Sequence, residues 1–172
     1  MTASPPKVIF PLQECIEAYL VAGEPRQVLL LKRTEVRGGF WQPVSGRIEP
    51  TDPDPPAAVR REVLEETGFK VVGAPVDLSW DFSFPGRDGR TWRVHAYAVG
   101  LPRPLPPRLS DEHTAFQWLP PGPAATYLAF EDNREALRRV DWLVPPGALP
   151  VRPSPRPTPR ASGPVRGVFA AP

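Results

Sequence analysis

Glu62, Glu65 and Glu66 stand within the run Arg61-Glu62-Val63-Leu64-Glu65-Glu66-Thr67-Gly68-Phe69. Their spacings of i, i+3 and i+4 put all three on one face of a helix. Carboxylates crowded in this way repel one another, and a divalent cation between them removes the repulsion. Hard oxygen donors suit Mg2+, with Mn2+ as the alternative. The chemistry this run can support is metal-ion chemistry on a helix.

A helix must hold that face in place, and the flanking residues provide one over about 55–67. Asp54 is a suitable N-cap, Pro55 a suitable first residue and Gly68 a suitable C-terminal cap. Ala57, Ala58, Val59 and Val63 supply its apolar stripe. Strands are expected on either side. Cys15 to Val21 and the apolar run from Gln27 to Lys32, joined by Gly23-Glu24-Pro25-Arg26, form a hairpin. A loop from Gly38 through Phe40-Trp41-Gln42-Pro43 leads into a short strand ending near Glu49, with Pro43 at an edge or bulge. Gly46 in that segment allows close approach of the backbone to a ligand or ion. Phe69–Val72, Val76–Phe84, Thr91–Leu101 and Thr114–Leu119 read as strands, the middle two joined by a hairpin loop. Pro121–Leu128 reads as a short helix. Glu131–Leu143 reads as a longer one, with acids at its start, arginines toward its end, and Leu137, Val140 and Val144 at helical spacing.

The 172 residues suit one domain with a real core, but 27 prolines are far above ordinary usage. Much of that excess lies after residue 144, where four arginines (Arg152, Arg156, Arg160, Arg166) occur with no acid. Without them the chain has 17 basic and 19 acidic residues, so its overall charge of +2 is an effect of the tail. A basic bulk charge of this origin is poor support for nucleic-acid binding, and none is expected. The expected organisation is an N-terminal arm and first strand over 1–12, a catalytic domain over 13–144, and a Pro/Arg-rich tail over 145–172 that is extended or disordered. Cys15 is the one cysteine, so no disulfide framework exists. No signal pattern or membrane-length apolar run is present, and the expected location is cytoplasmic, without membrane association.

The stretch from Gly46 to Phe69 resembles the Nudix box: Gly, five residues, Glu, seven residues, then Arg-Glu-apolar-any-Glu-Glu-any-Gly-apolar. Its second half is matched in full by Arg61, Glu62, Val63, Glu65, Glu66, Gly68 and Phe69. Its first half departs from the pattern. Asp52 stands where the first glutamate belongs, and eight residues rather than seven separate it from Arg61. One inserted loop residue accounts for this, with Asp52 or Asp54 in the acidic place. Three flanking segments, Phe40–Gly46, Asp111–Leu119 and Asn133–Ala136, are similar to those of the bacterial dihydroneopterin triphosphate pyrophosphohydrolases within that family. The resemblance covers roughly residues 13–143.

The resemblance implies an α/β (α+β) fold, an α/β/α sandwich with a mixed central sheet. It also implies Mg2+-assisted hydrolysis of a pyrophosphate bond in a small nucleotide-like substrate, dihydroneopterin triphosphate or a purine deoxynucleoside triphosphate. Glu62 and Glu66 match metal ligands, and Glu65 matches a further ligand or the base. Arg61, at i, i+4 from Glu65, either holds a carboxylate in place or forms an ordinary surface ion pair, and the resemblance implies that the Gly46 carbonyl completes the metal shell. Glu112 matches a metal ligand or base outside the box. Its segment Asp111-Glu112-His113 is equally well read as a polar loop. His113 is read as a proton-transfer or phosphate-contact group or as a structural histidine. Arg33 and Lys32 are either phosphate contacts or a surface face. Trp41 is either a stacking platform or a core residue.

Pro85, sixteen residues after Phe69, resembles a feature of ADP-ribose pyrophosphatases and also fits a hairpin loop. A Nudix-fold binding module with a tail that contacts nucleic acid or protein is the non-enzyme alternative, and a homodimer is compatible with all of these readings. Deleting residues 145–172 separates the enzyme from the binding module. Unchanged kcat/KM in the shortened chain is expected for the enzyme reading, and lost turnover would assign the tail a catalytic part.

Overall fold

The computed structural model describes residues 12–86, 88–143 and 151–153. The chain runs β1 (Gln13–Ala22), β2 (Gln27–Arg33), a short 3-10 turn (Glu35–Arg37), β3 (Trp41–Gln42), β4 (Val44–Arg47) and α1 (Pro55–Thr67). It continues with β5 (Phe69–Val71), β6 (Val76–Pro85), β7 (Thr91–Leu101), β8 (His113–Leu119), α2 (Pro121–Tyr127), α3 (Glu131–Leu143) and β9 (Val151–Pro153).

The main sheet has seven strands along the path β3-β2-β1-β7-β6, with β4 also on β1 and β8 also on β2. It is mixed. β1 and β7 are parallel over their full length, Gln13↔Trp92 to Ala22↔Leu101, and every other pair in this sheet is antiparallel. β1 changes partner along its length. Its second half meets β2 at Val21↔Val28, whereas its first half meets β4 from Cys15↔Arg47 to Ala18↔Val44. The sheet forks where β1 leaves β2 for β4, and the fork opens the cleft described below.

Strand alternation builds two cores. Ile16, Ala18, Leu20, Val99 and Leu101 face α1, where they pack on Ala58, Val59 and Val63. Tyr19, Val21, Leu30, Ala96 and Ala98 face the other way, onto Ala124 and Leu128 of the α2 segment and Ala136, Leu137 and Val140 of α3. The result is the three-layer arrangement, helix on sheet on helix, that the sequence resemblance implies.

α1 has the expected ends. The Asp54 side chain accepts from Ala57 N (2.8 Å), Pro55 begins the helix, and Gly68 caps it at φ 73°. Ala57 is only partly buried, and the buried positions of the helix include Glu66 and Thr67. Strand β5 does not join the main sheet; it pairs with β9 from the Pro/Arg-rich segment, Phe69↔Pro153 to Val71↔Val151. Arg138 and Arg139 lie in the second half of α3, as expected, and no basic residue stands in its last turn. Arg134, Arg138 and Arg139 pair with Glu131 and Glu135 along the helix. The expected 1–12 arm (apart from Leu12), Val144 and the tail other than 151–153 lie outside the described residues. Among the described residues no helix is long and apolar enough to cross a membrane.

Asp54→Ala removes one partner of an otherwise orphaned N-terminal amide of α1. It is expected to cost about 1 kcal/mol in denaturant unfolding. An unchanged midpoint would show that the cap contributes nothing.

Candidate active site

The side chains singled out in the sequence come from four places. α1 carries Arg61, Glu62, Glu65 and Glu66; β4 carries Gly46; the end of β2 carries Arg33; the segment before β8 carries Glu112. Backbone bonds fasten these segments together. Thr34 N donates to the Glu112 carbonyl (3.0 Å) and Arg33 N to the Phe40 carbonyl (3.0 Å). Gly46, Arg33, Arg61, Glu62, Glu65 and Glu112 line one broad cleft of about 1640 Å3, ample for a nucleotide-sized ligand.

Gly46 makes room for Glu62 in its observed position. A Cβ at this position would overlap the Glu62 carboxyl group. The carboxylate therefore lies directly over the β4 backbone, an approach that only glycine permits.

Arg61 organises the acids. Its Nε and Nη2 grip Asp52 in a two-pronged pair (3.1 and 2.7 Å), Nη2 also donates to the Arg47 carbonyl (2.8 Å), and Nη1 donates to Glu62 (2.7 Å). Its contact with Glu65 is longer, at 3.4 Å. The main partner of Arg61 is therefore Asp52 rather than the i+4 glutamate. The Arg61 hydrogen bonds hold the Asp52 carboxyl below the usual carboxylate range. Asp52 in turn accepts from Glu49 N (2.8 Å). The loop with the extra residue is thus tied down, and of its two candidate acids Asp52 sits on Arg61 while Asp54 caps the helix. Asp52, the backbone carbonyl of Arg47 and the bidentate geometry form a clamp that sequence spacing could not distinguish from a surface ion pair.

Glu66 lies deeper than its neighbours, with 4 % of its surface exposed. Burial, and then the nearby Glu62 and Glu112 charges, push its pKa up to about 9. One side is held by the Ser45 backbone amide, whereas Oε2 is buried without a hydrogen-bond partner. His113 Nε2, also buried and unpartnered, stands 3.9 Å from that oxygen. Burial, with the charges of Arg33 and Arg37, lowers the His113 pKa to about 4, so the ring is neutral at neutral pH. His113 lies behind Glu66 and does not line the cleft. Glu62 is also raised, chiefly by burial, against the opposing effect of Arg61. Glu112 is paired with Arg37 (2.9 Å) and lies 4.0 Å from Arg33.

Like His113, the candidate residues Trp41 and Lys32 do not line the cleft. Trp41 packs edge-on against Tyr127 (5.6 Å between rings) and against the α3-side core. Its neighbours Phe40 and Gln42 are the ones that line the cleft, as strand alternation dictates. Lys32 pairs with Glu35 (3.6 Å) and is absent from the cleft, whereas Arg33 lines it. Arg37 and Phe40 are cleft residues that the sequence reading did not single out. Arg37 follows Arg33 by four residues, but the turn that brings both to Glu112 has no periodic signal.

Whether this cluster suits a divalent cation can be judged from its atoms. Among the described residues, no three His, Cys, Asp or Glu side chains are arranged as ligands around one point. Glu62 is turned onto Arg61 and Glu112 onto Arg37. The donor set is nonetheless all hard oxygen, and the orphaned Glu66 Oε2 is a buried acceptor that a cation would satisfy. The residues fit Mg2+.

The Nudix domain family model matches residues 15–140. The chain is 36% identical over 121 residues to an octanoyltransferase of Myxococcus xanthus, covering 69% of this chain and 33% of that protein. It thus spans about a third of the length of that relative. It is 30% identical over 135 residues to the dihydroneopterin triphosphate diphosphatase of Escherichia coli (strain K12), covering 72% of this chain and 89% of that protein. The solved structure of the E. coli dihydroneopterin triphosphate pyrophosphohydrolase superposes with a TM-score of 0.63 at 24% identity, over 73% of this chain and 92% of that one. This chain belongs to the Nudix family of hydrolases.

The raised Glu66 pKa has a consequence for stability. The folded protein keeps a proton that the unfolded chain releases near pH 4.5, so stability contributed by Glu66 falls as pH rises toward 9. His113 acts oppositely, but only between about 4 and 6.5. In metal-chelating buffer the urea midpoint is therefore expected to fall between about pH 7 and pH 8.5, and Glu66→Gln is expected to flatten that slope. A wild-type midpoint that is level or rises across this window would refute the assignment.

Proposed function

We propose that the chain catalyses Mg2+-dependent hydrolysis of a pyrophosphate bond in a nucleoside triphosphate-like substrate, dihydroneopterin triphosphate or a purine deoxynucleoside triphosphate. The products are the monophosphate and pyrophosphate. The observation that carries this reading is the convergence of Glu62, Glu65 and Glu112 with Arg33 and Arg37 on one cleft, over the unpartnered Glu66.

Glu62 and Glu66 would hold the cation, with Glu65, Glu112 and the Gly46 carbonyl as further oxygen donors. When bound, the cation offsets phosphate charge and makes a water more acidic. The chain's own residues supply the rest. Arg33 and Arg37 offer guanidinium donors to phosphate oxygens, which those groups bind in fork geometry. Their present partner is Glu112, so phosphate binding exchanges one oxyanion for another. Glu65 and Glu112 are the more exposed carboxylates of the cluster, at 57% and 36% of their side chains. One of them receives the proton of the attacking water as the bond from phosphorus to the bridging oxygen breaks. Arg61 keeps Glu62 aimed into the cleft from its anchor on Asp52.

One observation favours a second reading, an ADP-ribose or other nucleoside diphosphate-X pyrophosphatase. Pro85 ends β6 opposite Thr91 and lines the same cleft. A panel of dihydroneopterin triphosphate, dATP, oxidised purine triphosphates, ADP-ribose and dinucleoside polyphosphates, each with Mg2+, separates the two. Activity confined to ADP-ribose would overturn the first reading.

Glu66→Gln is expected to lower Mg2+-dependent kcat on the order of 100-fold or more, with the far-UV circular dichroism unchanged. Full turnover by the folded variant would remove Glu66 from the metal site.

A further inference from the structure

The cleft also contains a carboxylate that the proposed hydrolysis does not use. Glu17 of β1 pairs in register with Ser45 of β4, one residue before Gly46, and it lines the cleft floor. Asn133, at the start of α3, donates through Nδ2 to both of its oxygens (2.7 and 2.8 Å). The Tyr19 hydroxyl donates to the Asn133 carbonyl (2.9 Å) and lies 3.2 Å from Glu17 Oε2. These bonds fix the plane of the carboxylate. They come from neutral groups, and among the described residues Glu17 forms no ion pair. A carboxylate offers about four acceptor positions, so capacity remains for a ligand.

Aromatic surface lines the same cleft. Phe40 and Phe130 meet edge to face (5.7 Å between rings), and both line it. Phe130 is 56% exposed, an unusual position for a phenylalanine unless something covers it. Burial pushes the Glu17 pKa up to about 7 against the hydrogen bonds from Asn133 and Tyr19, so above that pH a flat heterocycle on these rings, with one edge toward Glu17, would meet a pure acceptor.

We infer that Glu17, oriented by Asn133, selects heterocycles that present a ring N–H beside an exocyclic amino group: the 2-amino-4-oxo edge shared by guanine and the pterins. This edge offers two adjacent donors to the two carboxylate oxygens. The adenine edge alternates donor and acceptor, so its ring nitrogen lone pair would face a carboxylate oxygen. A site built to accept two hydrogen bonds rejects a partner that leaves one unmade, because an unpaired buried group is costly. The inference rests on the proposed pyrophosphohydrolase reading and narrows it from purine-like triphosphates in general to the 2-amino-4-oxo class. Glu17 is a specificity-determining residue, distinct from the α1 carboxylates in position and in task.

The test compares the full chain and Glu17→Gln with dGTP, dATP and dihydroneopterin triphosphate under Mg2+. The wild type is expected to favour dGTP over dATP by at least about tenfold in kcat/KM, and Glu17→Gln to bring that ratio close to unity through KM for dGTP. Comparing dGTP with dihydroneopterin triphosphate identifies which member of the class is the better substrate. A dGTP-to-dATP ratio that is the same in both proteins, or a wild type that prefers dATP, overturns the inference, as a loss of fold alone cannot change a ratio. Should the variant not fold, calorimetric titration of the wild type with guanosine and with adenosine decides. Tighter guanosine binding supports the inference and equal binding overturns it. That titration needs no turnover, so failure of the hydrolase reading and failure of the Glu17 assignment are told apart.

Discussion

Arg61 is the cation around which the acidic helix is arranged. Carboxyl groups from Glu49, Asp52, Glu62, Glu65, Glu66 and Glu112 surround this region, and like charges at such spacings repel. Arg61 answers with a two-pronged bond to Asp52, one bond to Glu62 and one to the Arg47 carbonyl. A guanidinium suits this task because its donors form a rigid fork with fixed directions. The bonds link the loop before the helix, the strand beneath it and the helix itself. Loss of the arginine would release Glu62, the loop and Asp52 together.

The remaining charge is handled by depth. Glu66 is placed where burial keeps it protonated in the metal-free protein, while Glu65 stays toward solvent. Adjacent residues of one helix thus sit at different depths. This gradient follows from the α1 register: Val63 and Val59 seat the helix on the sheet, and Glu66 follows Val63 by three residues onto the same buried side. The packing that stabilises the helix also sets the protonation state of its deepest acid.

Much of this was legible in the chain. The helix, its Asp54 and Gly68 caps, and the facing of Glu62 and Glu66 follow from spacing and cap chemistry, which are local. The hairpin of β1 and β2 and the break at Pro43 are local too. What was not legible depended on long-range geometry. Trp41 and Phe40 are adjacent in sequence and equal in chemistry, and only the register of β3 on β2 decides which one meets the cleft. Arg37 reaches Glu112 by a turn and a backbone bond that no periodicity announces. Glu17 shares the first half of β1 with Gln13 and Glu14, where a glutamate reads as an exposed position until α3 is seen to close over it with Asn133. The pairing of β5 with Val151–Pro153 likewise joins segments about eighty residues apart, beyond the reach of any sequence pattern in a Pro-rich stretch.

The change of partner along β1 determines where the chain can vary. Its alternate residues are shared out between the α1 core, the α3 core and the cleft, so adding or deleting one residue within β1 would put Ile16 or Ala18 in the place of Glu17 and exchange the two faces of the strand. The loop between β4 and α1 is under no such constraint. It carries an extra residue relative to the Nudix pattern and still delivers Asp52 to Arg61. The connection feeding the helix therefore tolerates a change of length, whereas the strand beneath it can change only by substitution.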